Sequence, residues 1–313
     1  MNVYLAALRT AIDASTVVVL ASTGTMLSER VGVLNLGQEG LIGMGAVAAV
    51  IASTSIASPW VCLLIGAATA AAVGFIFATS VVVFRANQVL CGLAVALGGI
   101  GLSNQLGTGR QGTPVRATFD SWAIPGLSDI PQIGKALFDH DPVVYLTYVA
   151  LPTIVAFVLF RTRHGMNLRA VGESPAAADA VGIDVTGMRL TYVTIGAALS
   201  GAGGAFLMLS FTPVWAENVA RGRGWVALAV VIFAVWRPWL LVVGSLLYGA
   251  MISLGFVAQQ QNWGLPSYVL SMLPYLVTLV LILIPAAAVK FGRRVRSTFA
   301  PAALGVPYFR EER

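Results

Sequence analysis

Apolar residues run in stretches of about 20 along most of the chain, the length an α-helix needs to cross the hydrocarbon core of a bilayer. They fall near residues 4–27, 38–57, 60–84, 88–107, 142–160, 188–210, 223–235, 238–258 and 267–287, the seventh being the shortest. The pattern predicts an all-α fold, a polytopic transmembrane helical bundle of about nine spans. The membrane domain takes in residues 1–290, and a polar C-terminal tail follows over 291–313. Two polar connections are long. Residues 108–141 carry Pro114, Pro125, Gly126 and Pro131 and predict an irregular loop or short helices; residues 161–187 form the other.

Composition agrees with this reading. Of the 313 residues, 58% are hydrophobic and 10% charged, against about 25% charged in a soluble domain. There are too few charges to cover a compact soluble surface. Arg9 and Asp13 interrupt the N-terminal apolar run, so no cleavable signal peptide is expected. Cys62 and Cys91 lie in apolar runs and read as small buried hydrophobes. The formal charge of +6 is scattered at loop edges rather than striped with aromatics, which argues against nucleic acid. With the C-terminus inside, 13 of the 19 basic residues fall on the inner side, among them Arg30, Arg85, Arg161, Arg163, Arg169, Arg189, Arg237 and the tail residues Arg293, Arg294, Arg296, Arg310 and Arg313. By the positive-inside rule this places the C-terminus in the cytoplasm and, with an odd number of spans, the N-terminus outside a cell membrane. Trp60, Trp122, Trp215, Trp236, Trp239 and Trp263 fall near span ends, where indole rings favour the interface.

Within the inner loop, Glu173-Ser174-Pro175-Ala176-Ala177-Ala178-Asp179-Ala180-Val181-Gly182 predicts a short, sharply bounded helix. Ser174 suits the N-cap and Pro175 the first turn. The alanines favour helix, and Gly182 suits the left-handed residue that closes it. So short a helix needs something packed on it: either the protein's own inner face or a cytoplasmic partner.

Polar residues at membrane depth stand out in three places. Between the first two apolar stretches lies Ser28-Glu29-Arg30-Val31-Gly32-Val33-Leu34-Asn35-Leu36-Gly37-Gln38-Glu39-Gly40. Its charged and amide side chains are costly beside lipid and should face a cavity or pair with one another; an inner turn with a surface ion pair is the plainer alternative. The second is Glu217-Asn218-Val219-Ala220-Arg221-Gly222-Arg223-Gly224-Trp225, which opens the short seventh stretch, as segments lining a pathway often do; an outer-surface turn is the alternative. The third, Asp13 with Arg9, is explained by snorkelling. The first two breaks precede spans of opposite direction, as an inverted repeat would give.

These residues also carry a resemblance. SERVGVLNLGQEG (28–40) resembles the stretch that opens permeases of the nucleoside and simple-sugar type of ABC importer, within the ribose and branched-chain amino acid transport superfamily. LRAVGESPAAADAVGIDV (168–185) is similar to the cytoplasmic loop by which those permeases dock on their ATPase, and ENVARGRGWVALAVVIFAVWRP (217–238) to their second-half signature. The likeness is closest to permeases that work with basic-membrane-protein-type nucleoside-binding lipoproteins, which pair a short permease with a longer one; this chain resembles the short member. The resemblance implies that Glu173 to Gly182 couple to a separate cytoplasmic ABC ATPase. It implies that Asn35, Gln38, Glu39, Glu217, Asn218 and Trp225 lie at the translocation pathway. It further implies a second homologous permease, an extracytoplasmic substrate-binding protein, and neither a catalytic residue nor a cofactor.

The chain carries no motor motif. A P-loop ends in Gly-Lys-Ser/Thr, whereas Lys135 precedes Ala136 and Lys290 precedes Phe291. Metal-binding and nucleophile motifs are missing too, and His140 and His164 read as solvated loop residues. The expectation is a transport subunit that carries a nucleoside by alternating access, with a pentose or other simple sugar next. The competing reading is an ion-coupled secondary transporter using Asp13, Glu29 or Glu39. Trp215, Trp225 and Phe211 could stack on an aromatic ligand, though interface anchoring explains them equally.

Overall fold

The fold is seen in a computed structural model that describes residues 3–131, 133–264, 266–290 and 300–309. Small residues set its packing. In the long first helix α1 (Val3–Arg30), Gly24 lies against Gly196 of α10 (Val185–Phe206), and a Cβ on either would run into the other's carbonyl. Such close backbone approach is how helices associate without a water-driven hydrophobic term. α10 also packs on α2 (Gln38–Ser53) and α3 (Pro59–Ala78), while α12 (Pro238–Gln260) lies along α1 and α4 (Gln88–Gly107) along α2. α1 is buried from Ala14 to Arg30. Its hydroxyls are satisfied internally: Thr16, Thr23, Thr25 and Ser28 each donate to the carbonyl four residues back, the partner available to a hydroxyl away from water. The outward faces carry Ile76, Leu97 and Phe157, all well exposed.

Six helical stretches among the described residues are long and apolar enough to cross a membrane: Val3–Arg30, Pro59–Val83, Gln88–Gly107, Pro142–Arg161 (α6, Pro142–Tyr145, and α7, Leu151–Arg161), Val185–Phe211 and Pro238–Gln260. Three of these include a five-residue π-helical turn, at Thr79–Val83, Leu146–Ala150 and Leu207–Phe211. The expected count of about nine spans is thus not confirmed among the described residues. The stretches read as 38–57 and 223–235 are the shorter helices α2, of 16 residues, and α11 (Arg223–Phe233), of 11; that read as 267–287 falls in α13 (Ser267–Lys290).

One end of the bundle carries the connection 108–141. As expected, it is largely irregular with one short helix, and it is tied down: Gly112, Val115 and Phe119 donate backbone hydrogen bonds to Trp215, Pro213 and Leu209. A short helix α5 (Gly134–Phe138) leads into β2 (Asp139–His140), which pairs antiparallel with β1 (Trp122–Ala123). The pair docks on α1, where Arg9 bridges Asp139 at 3.3 Å and Asp13 meets His140 Nδ1 at 2.7 Å. His140 is 1% exposed, so it is a buried anchor rather than a solvated loop residue.

The opposite end carries α8 (Arg163–Glu173) and α9 (Pro175–Ala180). Residues 300–309 fold over them rather than trailing free: Ala303 N–H donates to Gly172 O at 2.9 Å and Gly305 N–H to Gly32 O at 3.2 Å. Arg293, Arg294, Arg296, Arg310 and Arg313, counted in the charge bias, lie outside the described residues.

Candidate functional site

The first polar break is a helix end followed by a helix start. α1 stops because Gly32, at φ +83°, adopts the left-handed conformation; Gly32 and Val33 N–H then close on Glu29 and Ser28 carbonyls at 2.9 and 3.1 Å, the Schellman arrangement. Leu34 N–H donates to Gln88 Oε1 at 2.7 Å, and Asn35 Oδ1 accepts from Gly37 N–H at 2.8 Å. α2 then starts at Gln38, deep in the bundle, where Gln38 Oε1 accepts from the Ser200 hydroxyl.

The second break starts α11 at the same place. Asn218, Arg221 and Gly222 all have positive φ, and the chain turns into the helix with Gly222 at its N-cap. Glu39, from the first turn of α2, supplies the acceptors for the exposed amides of α11: Oε1 takes Gly222 N–H at 2.5 Å and Oε2 takes Gly224 N–H at 2.7 Å. The backbones touch here, since a Cβ on Gly224 would overlap Gln38 and Glu39 main chain. The carboxylate therefore sits at two helix N-termini at once, where partial positive charge favours it. Arg223 is buried too; its Nη1 donates to Val219 and Ala220 carbonyls.

The other end of α11 is held by the same first motif. Trp236 Nε1 donates to Glu29 Oε2 at 2.6 Å, and Arg30 Nη2 donates to Trp236 O at 2.8 Å. Glu29 and Arg30 are buried, 3% and 4% exposed, so they are not a surface ion pair. Trp236 is buried as well, and so is Trp215; neither is an interface anchor, unlike the exposed Trp60, Trp122, Trp239 and Trp263.

Beside Glu39 lies a cavity of about 190 Å³, lined among others by Ser103, Asn218, Arg221 and Gly222. Of the residues expected at a pathway, Glu39 and Asn218 meet here. Asn35 and Gln38 are fully buried beneath, each with an amide nitrogen that lacks a partner among the described residues. Glu217 is exposed, and Trp225 faces outward from α11 at 43% exposure. One contributor was missed. Asn104 of α4 exchanges two bonds with Asn218, Nδ2 to Oδ1 at 3.1 Å and Asn218 N–H to Oδ1 at 2.9 Å. The run Ser103-Asn104-Gln105 inside an apolar stretch was the signal, by the same cost argument applied to the other breaks.

At the α8–α9 end the expected helix is present with a revised interior. Pro175 opens it and Ser174 holds the N-cap position without a side-chain cap bond. Gly182, at φ +84°, closes it, with Gly182 and Ile183 N–H donating to Asp179 and Ala178 carbonyls, both at 3.0 Å. The residues expected to face a partner divide. Ala178 is buried against the bundle, Glu173 Oε2 accepts from Ala302 N–H at 3.3 Å, and Asp179 accepts from the Tyr308 hydroxyl at 2.9 Å. Ala176, Ala177, Ala180 and Val181 face outward, Val181 at 77% exposure. α8 abuts the break directly, since a Cβ on Gly172 would overlap Arg30 O.

Comparison with known proteins agrees with this architecture. Residues 7–285 match the family described as the branched-chain amino acid transport system / permease component. The chain is 33% identical over 313 residues to the guanosine ABC transporter permease NupQ of Bacillus subtilis, covering 94% of this chain and 93% of the relative. It is 32% identical over 311 residues to the nucleoside ABC transporter permease NupC of Lactococcus lactis, covering 95% of each. It is also 35% identical over 262 residues to a putative glucose ABC transporter permease, TsgC13, of Haloferax volcanii, covering 82% of this chain and 79% of the relative. No solved structure matches. The chain belongs to the branched-chain amino acid transport system / permease component family, and is a membrane-spanning transport subunit of an ABC transporter rather than its ATPase.

Proposed function

We propose that this subunit carries a nucleoside across the cell membrane through a pathway that passes the Glu39–Asn218 cavity. The observation that carries this is the meeting of two short helices at their N-termini beside the cavity that Glu39, Ser103 and Asn218 line, within a chain whose near-full-length relatives include guanosine and nucleoside permeases. The Glu39 carboxyl group that joins these helix ends and the side-chain amides of Asn104 and Asn218 bring directional hydrogen-bonding groups beside the cavity for a neutral polar solute, as discontinuous helices do in other transporters. Asn35 and Gln38 support the same path from beneath, Glu217 marks its mouth, and the outward-facing Trp225 meets it where the second subunit closes the pathway.

In this reading the α8–α9 end faces the cytoplasm, as the 13 to 6 bias of basic residues favours, with the N-terminus outside. The ATPase docks on the outward face of α9 through Ala176, Ala177, Ala180 and Val181. A substrate-binding protein delivers its cargo to the end bearing 108–141. A second, homologous but different permease subunit completes the pathway. The glucose-permease relative favours a simple sugar as the second reading.

The test is uptake by the reconstituted transporter with its binding protein. A labelled nucleoside should accumulate on ATP addition and resist competition by excess free glucose or pentose. Accumulation of a free sugar with no nucleoside uptake overturns the first reading. Val181→Asp places a charge on the docking face and should weaken ATPase association by tenfold or more, as desolvating an unpaired charge at an interface does; unchanged association would remove α9 as the docking element.

A further inference from the structure

The turn that follows α11 contains two residues that ordinarily avoid its backbone conformation. Val235 sits at φ +49° and Trp236 at φ +53°. Left-handed backbone is rare for any residue with a Cβ and is a genuine outlier for a β-branched one. Such a conformation persists only where its surroundings impose it. Here the imposition is visible: Glu29 Oε2 takes the indole N–H of Trp236 at 2.6 Å, while Arg30 Nη2 holds the carbonyl of the same residue at 2.8 Å. Both grips come from the last turn of α1, and all three side chains are buried. Arg30 is in turn backed by α8, whose Gly172 packs on its carbonyl. At its other end, α11 is held through Gly222 and Gly224 by Glu39. One short helix is therefore clamped at both ends by a single continuous segment, 29–39.

We propose that Glu29 and Arg30 are positioning residues that latch the strained Val235–Trp236 turn, so that a push on α8 is carried through Arg30 and Trp236 along α11 to the Glu39 cavity. The latch gives α11 no freedom to lag behind α1. With the indole bond lost, the turn relaxes toward ordinary backbone, α11 slips, and nucleotide hydrolysis goes on without moving substrate. The proposal rests on the reading of the α8–α9 end as the ATPase-docking end for the direction of the push.

The experiment uses the complete transporter in proteoliposomes, with substrate imported per ATP hydrolysed as the readout and subunit association measured in parallel. Trp236→Phe keeps the ring and removes the donor; Glu29→Leu keeps much of the bulk and removes the acceptor. Each should leave ATP hydrolysis within about twofold of the parent and lower the ratio by about tenfold, the size expected for losing one buried hydrogen bond. The double variant should be no worse than Trp236→Phe alone, because the two act through one bond. A ratio unchanged in both single variants overturns the latch, as do losses that simply multiply in the double variant. Loss of subunit association in all three variants assigns the pair a structural role only and overturns it too. The docking reading fails separately, through unchanged ATPase association in Val181→Asp.

Discussion

Glu29 and Glu39 belong to one motif, are both buried, and both grip the segment 217–238, yet they do opposite kinds of work. Glu39 accepts two backbone N–H groups at the start of α11, where the helix leaves amides unpaired and the dipole favours negative charge. Its partners, Gly222 and Gly224, are residues without a Cβ, and Gly222 takes its φ of +81° at no steric cost. The strained residues at that end, Asn218 and Arg221, lie outside the pair that Glu39 grips. Glu29 instead holds an indole at the end of the helix, where Val235 and Trp236 carry Cβ atoms in a conformation glycine would take more easily. One glutamate grips residues that take their backbone freely; the other holds two residues that do not. A half-helix with a fixed end beside the cavity and a loaded end beside the docking face is suited to passing on a displacement rather than absorbing it.

Substitutions can separate the two ends. The largest effect should come from Glu39→Ala, which strands two amides away from water at about 1–3 kcal/mol each. The purified subunit should melt at a markedly lower temperature and uptake should vanish, whereas an unchanged melt would mean those amides find other partners. Next, Gly222→Ala and Val235→Gly should act in opposite directions. The first puts a Cβ where φ is positive and Tyr275 Oη lies close, and should lower stability. The second relieves a left-handed valine at about 1 kcal/mol, raising the melting temperature by about 2–4 °C. Shifts of the same sign would erase the distinction between the two ends. A smaller effect is expected from Asn104→Ala, which frees Asn218 without touching α11. KM for the substrate should rise severalfold while the melting temperature holds; a change in melting with constant KM would make Asn104 merely structural. The least should follow from Tyr308→Phe, which removes one hydrogen bond to Asp179, worth about 0.5–1.5 kcal/mol, and should lower transport rate less than threefold.

Much of the architecture was legible in the chain. The apolar stretches, the polar breaks at 28–40 and 217–225, and the closing roles of Pro175 and Gly182 depend on local chemistry, which a sequence displays directly. Partnerships were not legible. Glu29 and Trp236 are 207 positions apart, and hydropathy reports that a tryptophan lies near a span end without saying whether it faces lipid or another helix. Trp215 and Trp236 were misplaced for that reason. His140 reads as a loop residue until Asp13 is seen beside it. The count of about nine spans is not confirmed for a similar reason: an apolar run has the same composition whether its helix crosses fully or begins deep inside the bundle. Asn104 alone was recoverable in advance, since an amide within an apolar stretch already asks for a partner.

The claim that α11 is clamped to the end of α1 can be measured as a distance. In a chain whose cysteines Cys62 and Cys91 are replaced by alanine, spin labels at exposed Leu8 on α1 and Ile232 on α11 report that separation in the assembled transporter. A second pair, at Leu102 on α4 and Ile232, reports α11 against a neighbour outside the clamp. With ATP bound, and again after hydrolysis, the account predicts that the Leu8–Ile232 distance stays constant while the Leu102–Ile232 distance shifts. A Leu8–Ile232 distance that changes between the two states would show α11 moving free of α1, and would contradict it.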